Sequence, residues 1–170
     1  MRWIVIAGAL LVTPAVASAE VVSSGPNAFH LRQTYTVAAA PSAAFSSFGQ
    51  IAKWWSADHT YSGDAAKLSM QMRAGGCFCE QLPGGGIEHL RVSYIDAPKR
   101  VVLTGALGPL LYQAVAGVMD VQIEATGTGS KVTMEYKAAG FASGGADKLA
   151  PLVDAVLAEQ MKRFTAFAAR

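Results

Sequence analysis

The apolar positions near the end of the chain recur with a helical period. Leu149, Val153, Val156, Leu157, Gln160/Met161, Phe164 and Phe167/Ala168 follow i, i+3/i+4, i+7 spacing, while Asp154, Glu159, Lys162 and Arg163 fall mostly on the other side. This predicts an amphipathic helix over residues 147–168 with a wide buried stripe. Asp147 is the expected N-cap, following the helix-breaking Gly144-Gly145 pair. Pro151 falls close to the first turn, where a missing N–H is tolerated.

Upstream the period shortens to two. Residues 31–39 alternate Leu31, Gln33, Tyr35 and Val37 against Arg32, Thr34 and Thr36, predicting a strand. Pro41-Ser42 opens a short helix that ends at Gly49, and a second is expected from about Gln50 through Trp54 and Trp55. On that helix the two tryptophans would point about 100° apart, so only one of them is expected to be fully buried, the other capping the pocket entrance or lying half exposed. Strands are then expected at 67–73, 77–82, 87–95, 100–104, 118–125 and 131–139, with Pro83-Gly84-Gly85-Gly86 as a hairpin loop. Residues 105–117 are apolar but punctuated by Gly108-Pro109, which suggests a long loop or a short helical lid. The clearest alternation places Met119, Val121, Ile123, Val132, Met134 and Tyr136 inward. Together these elements make an α+β domain, a curved antiparallel sheet of about six or seven strands gripping one long helix. Such a sheet rarely closes along the whole helix, and the usual remainder is a concave apolar pocket.

Composition changes this picture mainly at the start. The 52% hydrophobic fraction is inflated by Trp3 to Val12, a short apolar run after Met1-Arg2. With Pro14 and the A-x-A site Ala17-Ser18-Ala19, it reads as a secretory signal peptide over residues 1–19, cleaved after Ala19. The run is shorter than the ~20 residues of a spanning helix, so export to the periplasm or medium is expected, without stable membrane insertion afterwards. Residues 20–30 then read as a linker and 31–170 as the domain. Loss of Arg2 lowers the formal charge from +2 to +1. Lysines and arginines are dispersed, adjacent only at Lys99-Arg100 and Lys162-Arg163 and forming no basic patch, which argues against nucleic acid as a partner. Oligomeric state is not legible.

Several residues together resemble the START-like superfamily, also called SRPBCC or polyketide cyclase/dehydrase-like, with its helix-grip fold. They are Trp54-Trp55, Gly75-Gly76-Cys77-Phe78-Cys79-Glu80, the Leu82-Pro83-x-Gly turn, His89 followed by Val92, Gly105-Ala106-Leu107-Gly108-Pro109-Leu110, and Ala150-Pro151-Leu152-Val153. The resemblance is closest to the branch related to the activator of the heat-shock chaperone ATPase, and covers nearly all of residues 31–170. It departs at Leu90, where family members usually carry Gly. The resemblance implies a fold more than an activity, because the superfamily hosts carriers, cyclases, hydrolases and chaperone activators alike.

Candidate chemistry centres on one hairpin. A four-residue loop 83–86 would put Glu80 opposite His89, Phe78 opposite Arg91, Cys79 opposite Leu90 and Cys77 opposite Val92. Facing residues have Cβ atoms ~5 Å apart, close enough for a carboxylate–imidazole bond, which orients and activates a general base. Alternatively Cys77, Cys79, Leu90 and Val92 form the core face, leaving Phe78, Glu80, His89 and Arg91 as a solvated outer cluster. His59, in the loop after Trp55, is a third candidate or an exposed loop histidine. His59, Glu80 and His89 have the ligand types of a His₂Glu zinc site, but HExxH spacing is absent and no metal is expected. An i, i+2 pair on a strand has Cα atoms ~6.5–7 Å apart, which argues against a Cys77–Cys79 disulfide and for buried thiols.

Met70, Met72, Met119, Met134, Tyr94, Tyr136, Val156 and Gln160, with Trp54 and Trp55, are the candidate lining of a pocket for a flexible apolar molecule, or else ordinary core. GxSxG, GxGxxG, P-loop and HExxH motifs are all absent, so no cofactor is expected. Three classes remain. The first is a binder of a small hydrophobic or amphipathic molecule, which is the preferred reading. The second is a cyclase, dehydratase or hydrolase using Glu80, His89 and His59. The third is an interaction module like the chaperone-ATPase activators, disfavoured by export.

Overall fold

The computed structural model describes residues 17–170. The signal-peptide reading lies almost wholly outside them. The chain opens with a hairpin of β1 (Ala17–Gly25) and β2 (Ala28–Val37) joined at Pro26-Asn27. Residues 20–30 are therefore paired structure rather than a linker. The consecutive pairs Val21-Val22 and Ser23-Ser24 break any alternation in β1, which lies exposed at the sheet edge with little to bury.

Next come α1 (Pro41–Gly49), a 3₁₀ turn at Ile51–Lys53 and two more 3₁₀ turns at Ala57–His59 and Ala65–Lys67. The strands follow as β3 (Leu68–Met70), β4 (Cys77–Leu82), β5 (Gly85–Asp96), β6 (Arg100–Thr104), β7 (Ala116–Thr126) and β8 (Gly129–Ala139). A 3₁₀ helix, Gly108–Gln113, interrupts β6 and β7, and α2 (Ala146–Ala168) closes the chain. All neighbours are antiparallel, in the order β1-β2-β8-β7-β6-β5-β4-β3. The sheet has eight strands, one or two beyond expectation, because β1 adds an edge.

The alternation is realised as burial. Leu31, Gln33, Tyr35 and Val37 of β2, Met119, Val121 and Ile123 of β7, and Val132, Met134 and Tyr136 of β8 all face inward. Against them α2 buries Leu157, Met161 and Phe164, each worth about 1.5–3 kcal/mol when removed from water. Phe164 meets Trp54 at 5.4 Å and Phe48 of α1 at 5.7 Å, both edge to face. This is a helix-grip-like α+β fold. Among the described residues, no helix is long and apolar enough to cross a membrane.

Two local expectations are corrected. Trp54 and Trp55 are both buried, because the segment is a 3₁₀ turn ending at Trp54 (φ −131°, ψ −20°) and α-helical spacing does not apply. The α2 N-cap is Gly145 in the left-handed region (φ 89°), a conformation glycine adopts without penalty. Asp147 lies in the first turn, where its charge meets the helix dipole.

Candidate functional site

The β4–β5 hairpin turns on two residues, Pro83-Gly84, so Leu82 pairs with Gly85, Glu80 with Ile87 and Cys79 with Glu88. Beyond that the register slips, and Phe78 faces Leu90 and Cys77 faces Arg91. His89 is the extra residue of a β-bulge. The expected register, with Glu80 directly opposite His89, is therefore incorrect, yet the bulge restores the contact by another route. A bulge breaks strict in–out alternation, so His89 and Leu90 both turn inward, 4% and 0% exposed. Glu80, 1% exposed, shares that inner face. His89 Nε2 lies 3.0 Å from Glu80 Oε2. The solvated-cluster alternative fails for Phe78, Glu80 and His89, while Arg91 is exposed and paired with Glu88.

The Glu80 carboxylate also accepts the backbone N–H groups of Tyr61, at 3.1 Å, and Ser62. Burial pushes its pKa up, but hydrogen bonds from Ser62, Tyr61 and His89 outweigh it, so Glu80 titrates below the ordinary 4.5. An ionised carboxylate accepts hydrogen bonds and cannot donate them. His89 Nε2 must therefore carry the proton, leaving Nδ1 as the lone-pair nitrogen of the neutral ring. Burial pushes the His89 pKa below the ordinary 6.5, and the bond and charge of Glu80 oppose this incompletely, so the ring is neutral at pH 7. Nδ1 is buried and has no hydrogen-bond partner. The ring lies 5.0 Å from that of Phe78 and 5.9 Å from that of Tyr61.

His89 opens onto a cleft of about 380 Å³. One wall is the N-terminal half of α2, through Leu149, Leu152, Val153, Val156 and Leu157. Opposite lies the lid, Leu107 with the 3₁₀ residues Gly108, Pro109 and Leu110, and the loop Asp58–Tyr61 closes a third side against Trp55. Tyr136 anchors the lid from beneath. Its hydroxyl accepts the Leu107 N–H at 3.1 Å and donates to the Gly105 carbonyl at 3.3 Å. Burial pushes the Tyr136 pKa up to about 12, so the hydroxyl keeps its proton.

Three contacts tie the loop to its surroundings. Trp55 Nε1 donates to the His59 carbonyl at 2.9 Å, the Ser56 N–H donates to Gln160 Oε1 at 2.7 Å, and Arg163 Nε donates to the Trp54 carbonyl at 2.8 Å.

Of the residues expected from the sequence, Trp55, His59, His89 and Val156 line this cleft, and Glu80 stands behind His89. Trp54, Met70, Met119, Met134 and Gln160 surround a void of about 10 Å³ deeper in the core, which is packed interior. Met72 is half-buried and its side chain covers Gly49. Tyr94 is half exposed on the outer face beneath the Arg100 guanidinium, 5.9 Å from its ring centre. The β5 bulge between Val92 and Tyr94 changes its phase.

His59 is not gathered with Glu80 and His89; it bonds Glu159 Oε2 at 3.1 Å on the rim. Among the described residues, the grouping close enough to share an ion is Cys77, Cys79 and Glu88. There the cysteines form a disulfide, so no thiolate is free. That disulfide corrects the free-thiol expectation: Cα–Cα is 5.3 Å, contracted from extended-strand spacing in the segment facing the bulge.

Sequence reasoning missed Leu107, Leu110, Tyr61, Leu149, Leu152 and Val153 as lining. The Gly108-Pro109 punctuation of an apolar stretch was the available signal for the lid.

No family model and no curated protein matches the sequence. Solved structures do match it. An uncharacterized protein from Rhizobium leguminosarum superposes with a TM-score of 0.60 at 18% identity, over 90% of this chain and 97% of its own. A protein from Mesorhizobium loti gives 0.61 at 13% identity, over 81% and 95%. The di-domain ARO/CYC StfQ of the steffimycin biosynthetic pathway gives 0.56 at 15% identity, over 84% of this chain and 52% of that one. At such identities the likeness concerns the fold alone, and the chain shares the helix-grip-like α+β fold of these structures.

Proposed function

We propose that this chain is an exported START-like domain that binds a small hydrophobic or amphipathic molecule in the cleft between lid and α2. The observation carrying this is the cleft itself. Its volume falls within the ~300–1,000 Å³ usual for small-molecule sites, its walls are largely apolar, and one buried polar atom, His89 Nδ1, lacks a partner. The Trp54-Trp55 and Gly75–Glu80 motifs support the superfamily and its chaperone-activator branch. Residues 1–19 support export, and so does the Cys77–Cys79 disulfide, a bond that persists in oxidising compartments. Cleavage after Ala19 leaves Glu20, Val21, Ser23, Ser24 and Gly25 of β1 paired with β2.

The test is thermal unfolding of the mature protein across a library of apolar and amphipathic compounds. Ligands that bind only the native state raise Tm. The absence of any shift would sink this reading.

A second reading has its own observation. The Glu80–His89 pair is buried and oriented, and its histidine lines the cleft, which suits proton abstraction and return by His89 Nδ1 in cyclase- or dehydratase-type chemistry. Native mass spectrometry of protein isolated from its own host distinguishes the two. The same molecule on wild-type and His89→Gln protein means binding alone; an unconverted precursor accumulating on the variant means turnover.

A further inference from the structure

We propose that the cleft selects a planar ligand bearing a neutral O–H donor (a phenol, an enol or an alcohol), with His89 Nδ1 as the acceptor, and rejects the matching carboxylate. The inference rests on the binding reading above and adds the chemistry of the ligand's buried end.

Charge makes the selection. The lining contains neither lysine nor arginine. Arg163 is engaged with the Trp54 carbonyl, and His59 is spent on Glu159 at the rim. Asp58 adds a negative group to the mouth, and the Glu80 carboxylate lies directly behind His89. An anionic head group reaching the floor would meet a nitrogen lone pair with a carboxylate behind it and no cation nearby. An isolated charge moved out of water without a partner is strongly disfavoured. An O–H donor meets the opposite situation, since Nδ1 is buried, unpartnered and an acceptor. Its tautomer cannot switch to suit an acceptor ligand, because Nε2 must donate to Glu80. The rings of Trp55, Tyr61 and His89 line the cleft and face the ligand's body. Phe78 lies behind them, its ring centre 5.4 Å from that of Trp55 and 5.0 Å from that of His89, and the Tyr61 and His89 rings are 5.9 Å apart.

Three probes of one shape test this on the full mature protein at neutral pH, with calorimetry as the readout. They are 2-naphthol, 2-methoxynaphthalene and 2-naphthoate. The naphthol is expected to bind about 10-fold or more tightly than the ether, which leaves Nδ1 unpaired, and than the naphthoate. It should also shift the Nδ1 resonance in the ¹⁵N spectrum of the histidines, a readout that needs no variant. In His89→Phe protein that still folds, the preference for naphthol over ether is expected to vanish. Equal affinities, or naphthoate as the tightest ligand, overturn this inference and leave the binding reading intact. Failure of all three to bind overturns this inference, and the binding reading falls with it only if the wider library also leaves Tm unmoved.

Discussion

His89 Nε2 lies 3.0 Å from Glu80 Oε2 although the two residues are not partners in the β4–β5 ladder, where Glu80 faces Ile87. The bulge at His89 makes this contact by turning consecutive residues inward, at the cost of an unpaired backbone position. Its value lies in what it leaves free, a neutral imidazole whose second nitrogen has no partner.

Removing the carboxylate charge should move the histidine. Glu80 opposes the effect of burial on His89, so Glu80→Gln is expected to lower the His89 pKa further, with a stability loss of about 1–3 kcal/mol from weakened charged hydrogen bonds. Titration of the His89 ring by NMR in both proteins measures the shift. An unchanged midpoint would mean that the pair carries no electrostatic coupling.

Acid should destabilise the protein through both groups. His89 has a folded pKa below its ordinary 6.5, and Glu80 one below 4.5, so the unfolded chain binds more protons in each interval. Both contributions are fully present above the unfolded values and are lost as pH falls through the folded ones. Urea unfolding between pH 7 and 3 should therefore show stability falling first below about 6.5 and again below about 4.5. In Glu80→Gln the contribution of Glu80 to the lower step is expected to disappear.

One hydroxyl ties both Gly105 and Leu107 at the base of the lid. Tyr136→Phe removes the acceptor for the Leu107 N–H and the donor to Gly105, with an expected loss of about 1–3 kcal/mol. Amide exchange across Gly108–Gln113 should accelerate while exchange in the centres of β7 and β8 stays slow. Uniform acceleration would show that the hydroxyl supports the whole core rather than the lid.

Leu152 separates binding from stability. It is 63% exposed on the cleft wall, so Leu152→Asp is expected to change stability by no more than about 0.5 kcal/mol while weakening apolar ligands. Leu157 of the same wall is buried at 1%, and Leu157→Ala should cost about 2–5 kcal/mol. Denaturant midpoints and ligand titrations of the two variants test the contrast.

The disulfide has a direct chemical test. Cys77 and Cys79 of the mature protein are expected to resist iodoacetamide until reductant is added, two alkylations then appearing by mass. Because the bridge closes a very short loop, its chain-entropy contribution is only about 1–2 kcal/mol, and the reduced protein should stay folded.

What the sequence determined by itself was everything with a local period. Alternation in β2, β7 and β8 selected the buried faces, and the 3.6-residue stripe of α2 selected the surface that the sheet grips, because side-chain direction follows from backbone geometry over a few residues. Tertiary structure decided what depends on register and on competition for buried space. The two-residue turn at Pro83-Gly84 and the bulge at His89 set which side chains meet, and one residue of slip reverses a face. The burial of both Trp54 and Trp55, the closeness of Cys77 to Cys79, and the pairing of β1 likewise depend on partners distant in the chain, whose positions no local pattern encodes.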